Sequence, residues 1–294
     1  MSVKTLLCIL GPTAVGKTAA AIKVARRLQT EIISADSRQF YKEVSIGTAK
    51  PTPAELAEVP HHFIGQLNIS DVYSAGDFER DALQKLGELF KHKDVVVAVG
   101  GSGLYVKALI DGLDVLPPAN EQLRTALHEL FAADGIEGLQ QYLKQLNEEA
   151  YLQTEILNPQ RIMRAIEIET AVQNGFVNYS NKQPRTFNTI KVVLDLPREV
   201  LYERINQRVD LMMQQGLLEE VRSVRSYQHT YAMQTVGYTE IFEYMEGKHT
   251  LEKAVELIKQ HTRNFAKRQL TWFRKEAPKH WFAPTDIEQI LALL

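Results

Sequence analysis

Between the apolar run Leu6-Leu7-Cys8-Ile9-Leu10 and the alanine-rich segment Ala19-Ala20-Ala21-Ile22-Lys23-Val24-Ala25, the chain reads Gly11-Pro12-Thr13-Ala14-Val15-Gly16-Lys17-Thr18. This octapeptide has the form G-x-x-x-x-G-K-[ST]. A strand before it and a helix after it are the context that a phosphate-binding loop requires. Glycines let the backbone curl with its N–H groups inward, and the helix N-terminus adds partial positive charge. Lys17 supplies a full charge for phosphate oxygens, and the Thr18 hydroxyl is a ligand suited to Mg²⁺. With Gly at about 7% of average usage, a chance match in such a chain is roughly a one-in-a-hundred event. Taken alone, the loop points to bound phosphates, those of ATP before others.

The rest of the composition removes several classes. The 294 residues suffice for one large domain or two moderate ones. Hydrophobic residues at 45% and charged residues at 24% are ordinary for a soluble globular protein. No apolar stretch approaches the roughly 18 residues of a membrane helix. Met1 leads at once into the first strand, which leaves no room for a signal peptide. The single cysteine, Cys8, can form neither an intrachain disulfide nor a thiolate zinc site, and fits a reducing cytoplasm. At mid-strand it reads as a small buried thiol. The net charge of −2 means that an RNA partner must meet a local basic surface.

Further along, Glu31-Ile32-Ile33-Ser34-Ala35 predicts a second strand that runs into Asp36-Ser37-Arg38-Gln39-Phe40-Tyr41. In an open parallel sheet the end of one strand lies beside the phosphate loop of its neighbour, so Asp36 is expected to face the loop's ligand. A turn aspartate capping a helix is the plainer alternative. His61-His62 suggests a metal site, but adjacent side chains diverge and no third ligand stands at suitable spacing, so both are read as structural. Tyr73-Ser74 predicts a loop and N-cap for a helix reaching about Phe90. Asp94-Val95-Val96-Val97-Ala98-Val99 predicts a buried strand ending in Gly100-Gly101-Ser102-Gly103. Nucleotide-hydrolysing enzymes usually place an acid at such a strand end to position Mg²⁺; glycines here argue against an ATP-driven motor.

Pro117-Pro118 marks the clearest break, and residues 121–175 carry helical periodicity. Within them Asn158-Pro159 predicts a helix start with Asn as cap and Pro at the first position. Arg161 and Arg164, three apart, share a face opposite the apolar stripe. β character returns at Thr189-Ile190-Lys191-Val192-Val193-Leu194, followed by a helix bearing Arg204 and Arg208. A long C-terminal helix at about 251–275 is locally basic, with Trp272 and Phe273 among its charges, and could form a nucleic-acid footprint. His280-Trp281-Phe282 predicts a last short strand. The expected division is 1–118 with 188–294 as an α/β core, and 119–187 as a helical insertion.

These motifs in this order resemble the tRNA dimethylallyltransferases (tRNA isopentenyltransferases) of the bacterial type, over nearly the whole chain. The resemblance rests on residues 11–18, Asp36-Ser37-Arg38-Gln39 with Tyr41, residues 46–51, and His61-His62. It continues in Tyr73-Ser74 with Phe78, residues 100–105 and 158–164, the Arg204/Arg208 helix, Val236-Gly237-Tyr238 and Lys267-Arg268-Gln269-Leu270-Thr271-Trp272. Ser45 stands where the family pattern has an acid and Ser102 where threonine is usual; Gly65 and Ser70 replace an Asp and a Pro.

The resemblance implies a P-loop kinase-like α/β core with a parallel sheet flanked by helices, plus an all-helical insertion that grips tRNA. It implies transfer of a dimethylallyl group from dimethylallyl diphosphate to N6 of the adenosine 3′ of the anticodon. Residues 11–18 with Mg²⁺ on Thr18, Lys17 and Arg208 would then hold a departing pyrophosphate, and Asp36 would be the general base. The tRNA anticodon stem-loop would meet Asp36, Ser37, Arg38 and Gln39, with Ser102, Arg124, Gln160, Arg161, Ile162, Met163 and Arg164. A cytoplasmic monomer is expected. A P-loop small-molecule kinase, an adenine-nucleotide isopentenyltransferase and a nucleotide-gated RNA-binding protein are the rival readings.

Overall fold

The computed structural model describes residues 3–177, 184–276, 278 and 280–294. In chain order the elements begin β1 (Thr5–Leu10), α1 (Lys17–Arg27), β2 (Ile32–Ser34), α2 (Pro53–Glu58), β3 (His61–His62), α3 (Ala75–Leu89), β4 (Val95–Gly100) and α4 (Gly103–Asp111). Three helices follow, α5 (Glu121–Leu146), α6 (Glu148–Gln153) and α7 (Pro159–Gln173). The chain then gives β5 (Asn188–Leu194), α8 (Arg198–Gln214), α9 (Leu217–Ser223), α10 (Tyr238–Met245), α11 (Leu251–Lys275), β6 (His280–Phe282) and α12 (Ile287–Leu291).

The strands form one parallel sheet in the order β3-β2-β4-β1-β5-β6. Helices on both faces explain why the central strands are continuous apolar runs rather than alternating ones. Leu7 and Ile9 of β1 pack with α1, α8 and α12 on one face. Leu6, Cys8 and Leu10 pack with α3, α4 and Phe273 on the other. Cys8 is therefore sealed, and burial pushes its thiol up to about 12, an inert group. His61-His62 forms the edge strand; His62 Nε2 meets Glu31 Oε2 at 2.7 Å and His61 Nδ1 meets the Val59 carbonyl at 2.7 Å.

Register decides what the sheet presents. Leu10 stands opposite both Gly100 and Val193, and Ser34 opposite Val99. The segments after β1, β2 and β4 thus leave the sheet side by side at its carboxyl end, where open α/β sheets bind ligands. Local chemistry sets the ends: Ser74 and Asp77 form a capping box on α3, and Asn158 accepts from the Gln160 and Arg161 amides ahead of Pro159.

Two compact units emerge, residues 1–112 with 184–294, and residues 113–183. The borders differ from the expected 118/119 and 187/188. On the way out, α4 stops at Gly112 with φ 80°, and Pro117 already serves the helical unit by accepting from Arg164 Nη2 at 2.8 Å. On the way back, Arg185 donates to Glu79 Oε1 at 2.8 Å and to the Ala108 and Leu109 carbonyls, which fastens it to the sheet unit. In the helical unit Leu127, Leu139, Leu143, Ile162, Met163 and Ile166 form a separate core. α5 breaks at Gly135, whose φ of 67° is non-helical.

Candidate active site

The phosphate loop is shaped by two glycines. Gly11 has φ 146°, and a Cβ there would lie 2.6 Å from the Leu194 carbonyl oxygen; Gly16 caps α1 at φ 107°. Gly11, Pro12 and Val15 are closed to solvent, Val15 within the core under α1. Pro12 has no N–H to offer; its carbonyl accepts from Lys17 Nζ at 2.7 Å. Thr13, Ala14, Gly16, Lys17 and Thr18 line a cleft of about 990 Å³. Asp36 enters the same cleft from the end of β2, and Arg204 and Arg208 enter it from α8.

The charges of this cleft act on one another. Burial pulls the Lys17 ammonium down to about 8; the Asp36 carboxylate opposes that and the Arg208 charge adds to it. Arg208 is likewise drawn below its ordinary range by burial, with Asp36 opposing and Arg204 adding. Arg208 Nη1 lies 3.4 Å from the Thr13 hydroxyl and Arg204 Nη1 lies 3.4 Å from the Val15 carbonyl. Three cations crowd one short loop together with the Asp36 carboxylate, whose Oδ1 accepts from the Arg38 amide at 3.1 Å. Such a cluster is built for a multiply charged anion.

The opposite wall is the segment 45–50, held from beneath by Glu220 of α9. Its carboxylate accepts the amides of Ser45, Ile46 and Gly47 at 2.7, 2.8 and 2.9 Å, and the Tyr238 hydroxyl at 2.7 Å. Burial, with the Glu220 charge and hydrogen bond, raises the Tyr238 phenol far above its usual range. A Cβ on Gly47 would strike the Tyr238 ring at 2.6 Å, so only glycine allows this approach. Gly100 and Gly101 have a steric reason of the same kind: a Cβ at 100 would lie 2.4 Å from the Ala35 carbonyl, and one at 101 would lie 2.4 Å from Gln269 Nε2. The acid absent from the end of β4 has no room there.

A family model described as IPP transferase matches residues 39–276. The chain belongs to the IPP transferase family. It is 50% identical to the tRNA dimethylallyltransferase of Christiangramia forsetii, over 94% of this chain and 92% of that protein. It is 44% identical to the tRNA dimethylallyltransferase of Cytophaga hutchinsonii, over 99% and 96%. The solved full-length tRNA isopentenylpyrophosphate transferase of Bacillus halodurans superposes with a TM-score of 0.73 at 35% identity, covering 99% of this chain and 94% of that one. A eukaryotic dimethylallyltransferase acting on tRNA shares the fold, with a TM-score of 0.76 at 22% identity over 97% and 75%.

In this IPP transferase the expected site residues divide into three groups. Asp36, Lys17, Thr18, Arg208 and the open part of the loop share the cleft. Ser37 and Ser102 adjoin it, the Ser37 amide and hydroxyl each 3.2 Å from the Ser102 hydroxyl. Gln39 lines the cleft, with its carboxamide bonded inside the fold. Its Nε2 donates to the Thr48 and Ala49 carbonyls at 3.2 and 3.0 Å, and its Oε1 accepts from Ser34 at 3.4 Å. Arg38 donates to the Ala232 and Gln234 carbonyls at 3.4 and 3.2 Å.

The third group lies in the helical unit. Ile162 and Met163 turn their side chains into the core of this unit, 0% and 5% exposed. Arg164 and Arg124 converge on Glu167, which is 4% exposed, with Arg164 Nη1 at 2.8 Å and Arg124 Nη2 at 3.1 Å. Burial would raise the Glu167 carboxyl, but the bonds and charges of the two arginines outweigh it and hold it below the usual range. Gln160 and Arg161 are exposed, Arg161 paired with Glu155. On α11, Phe273 is buried in the core at 1% exposure, and Trp272 packs against the same cluster while partly exposed. Lys267, Arg268, Arg274 and Lys275 are exposed.

Sequence reasoning passed over Arg204, Lys50, Glu220 and Gln269 as site residues. Only Gln269 carried a signal: a carboxamide in the stripe Ala266, Gln269, Phe273, which is otherwise apolar. The apolar side of the cleft, with Leu56, Leu211, Met212 and Phe265, was equally unread.

Proposed function

We infer that this IPP transferase is a tRNA dimethylallyltransferase, moving a dimethylallyl group from dimethylallyl diphosphate to N6 of the adenosine immediately 3′ of the anticodon and releasing pyrophosphate. The observation that carries the reading is the pairing of Asp36 with a three-cation phosphate cleft, in a chain matching tRNA dimethylallyltransferases along its length.

As the allylic C1–O bond breaks, its electron pair leaves one further negative charge on the pyrophosphate oxygens; Lys17, Arg208 and the loop amides stabilise it where it develops. N6 attacks C1, and the adenine amine becomes acidic only as this C–N bond forms. Asp36 takes that proton, a step typically worth about 10²–10⁴-fold. The Thr18 hydroxyl in the cleft fits a hard cation: Mg²⁺ held there would supply further positive charge to the leaving group. A prenyl group has an apolar wall to rest on in Leu211, Met212 and Phe265. The anticodon loop is single-stranded, so its base reaches a cleft at low unstacking cost. Exposed Gln160 and Arg161 in the helical unit, with Ser37 and Ser102 beside the cleft, are the contacts assigned to tRNA. The enzyme is assigned to the cytoplasm as a monomer; no described helix is long and apolar enough to cross a membrane.

The test is incubation with Mg²⁺, labelled dimethylallyl diphosphate and unmodified tRNA, with ATP and AMP in parallel. Label in tRNA at the nucleotide after the anticodon supports the reading. Label on AMP alone, or phosphoryl transfer from ATP, overturns it.

A further inference from the structure

Gln269 sits in the middle of α11, 256 positions from the loop it touches, and is 7% exposed. Its Oε1 accepts the Thr13 amide at 2.8 Å, and its Nε2 donates to the Gly101 carbonyl at 2.9 Å. The orientation of the carboxamide is settled by its partners, since an amide can only donate and a carbonyl only accept. Burying such a group costs free energy unless both ends are bonded, and both are.

We propose that Gln269 is a positioning residue of the phosphate site, bridging Thr13 of the loop to Gly101 and so fixing the distance between the pyrophosphate cradle and the wall that carries the base. The chain of contacts is continuous. Thr13 is held to Gln269, Gln269 to Gly101, and the adjoining Ser102 hydroxyl takes the Ser37 amide next to Asp36. Packing around the bridge is tight. A Cβ on Gly101 would meet Gln269 Nε2 at 2.4 Å, the Gly11 carbonyl at 3.2 Å and Lys17 Nζ at 3.5 Å. Helix α11 is itself tied to the arginine-bearing α8, Arg263 Nη1 to Asn206 Oδ1 at 2.6 Å and Lys259 Nζ to Asp210 Oδ1 at 2.8 Å. One carboxamide therefore registers the loop, the arginines and the β4 turn against one another. A methionine fills the same shape but bonds neither partner, so the loop amide and the turn carbonyl are left unpaired. Misplacement on the order of an ångström in such a site costs up to about 10²-fold in rate.

The inference rests on the diphosphate reading of the cleft, and its test begins with binding alone. Inorganic pyrophosphate with Mg²⁺ is titrated by calorimetry into wild type, Gln269→Met and Gln269→Glu, with tRNA affinity and thermal midpoint measured alongside. Gln269→Met is expected to bind pyrophosphate about tenfold more weakly and to lower kcat about ten- to a hundredfold, with tRNA affinity within about twofold. Gln269→Glu keeps the acceptor for Thr13 but sets a negative charge beside Lys17, and is expected to bind pyrophosphate more weakly still. Wild-type pyrophosphate affinity and kcat in Gln269→Met overturn the proposal. So does parallel loss of pyrophosphate and tRNA binding with a midpoint lowered by more than about 5 °C, the mark of a general packing role. If Gln269→Met folds poorly, Gln269→Glu decides by the same criteria. A weakened pyrophosphate affinity in a protein that prenylates no RNA would sink the reaction assignment and leave the positioning role standing.

Discussion

Lys17 should be a costly residue for the fold, and replacing it by methionine should stabilise the protein while disabling it. The ammonium titrates near 8 in the folded chain, against an ordinary value of 10.5, because burial outweighs the attraction of Asp36. At about 1.36 kcal/mol per pH unit, holding the charge at neutral pH costs roughly 3 kcal/mol. Methionine keeps most of the stem but loses the 2.7 Å bond to the Pro12 carbonyl, which returns about 1 kcal/mol. The net gain is about 2 kcal/mol, or about 4 °C in thermal midpoint for a chain of this size. Between pH 8 and 10.5 the native state has released the Lys17 proton and the unfolded chain still holds it, so wild-type stability rises with pH there. The advantage of Lys17→Met, read by calorimetric unfolding, is therefore greatest below pH 8 and shrinks to nothing by about 10.5. Pyrophosphate should lose most of its affinity in the variant. A variant less stable than wild type at pH 7, or an advantage independent of pH, would refute the reasoning.

Asp36→Ala should lower kcat by about 10²–10⁴-fold while tRNA still binds; turnover near wild type would remove Asp36 as the base. Arg124→Ala and Arg164→Ala should each destabilise the helical unit by about 1–3 kcal/mol by leaving the Glu167 carboxylate half-paired, measured by urea unfolding. Since Glu167 is held below its ordinary 4.5, that pairing stabilises the fold above this pH and fades as pH falls through the lower native value. Arg161→Glu, at an exposed position, should leave the thermal midpoint in place, weaken tRNA binding and lessen its salt dependence; an unchanged salt slope would return Arg161 to the solvated surface. Glu220→Ala strands three amides and the Tyr238 hydroxyl, so it should lower the midpoint and raise the KM for dimethylallyl diphosphate.

What the amino-acid sequence determined by itself was whatever a few neighbouring residues can enforce. The loop at residues 11–18 declared itself through glycines at positions that need a left-handed turn or a close backbone approach. The strands declared themselves through β-branched runs buried on both faces, and the helix starts through Ser74 and Asn158. From these the parallel sheet and the place of Asp36 beside the loop followed, because strand ends in such sheets share one edge. Only the folded chain decided what each polar side chain spends itself on. Gln39 and Arg38, expected at the tRNA, also bond backbone carbonyls that lie near them only in the folded chain. Ile162 and Met163 sit beside exposed Arg161 in sequence, yet a rotation of about 100° per helical residue turns them into the core. The depressed Lys17 ammonium, the Glu220 hold on segment 45–50 and the Gln269 bridge all join residues that are far apart in the chain. Hydrogen bonds and desolvation depend on distance in space, and no local pattern records which distant groups the fold will bring within 3 Å of one another.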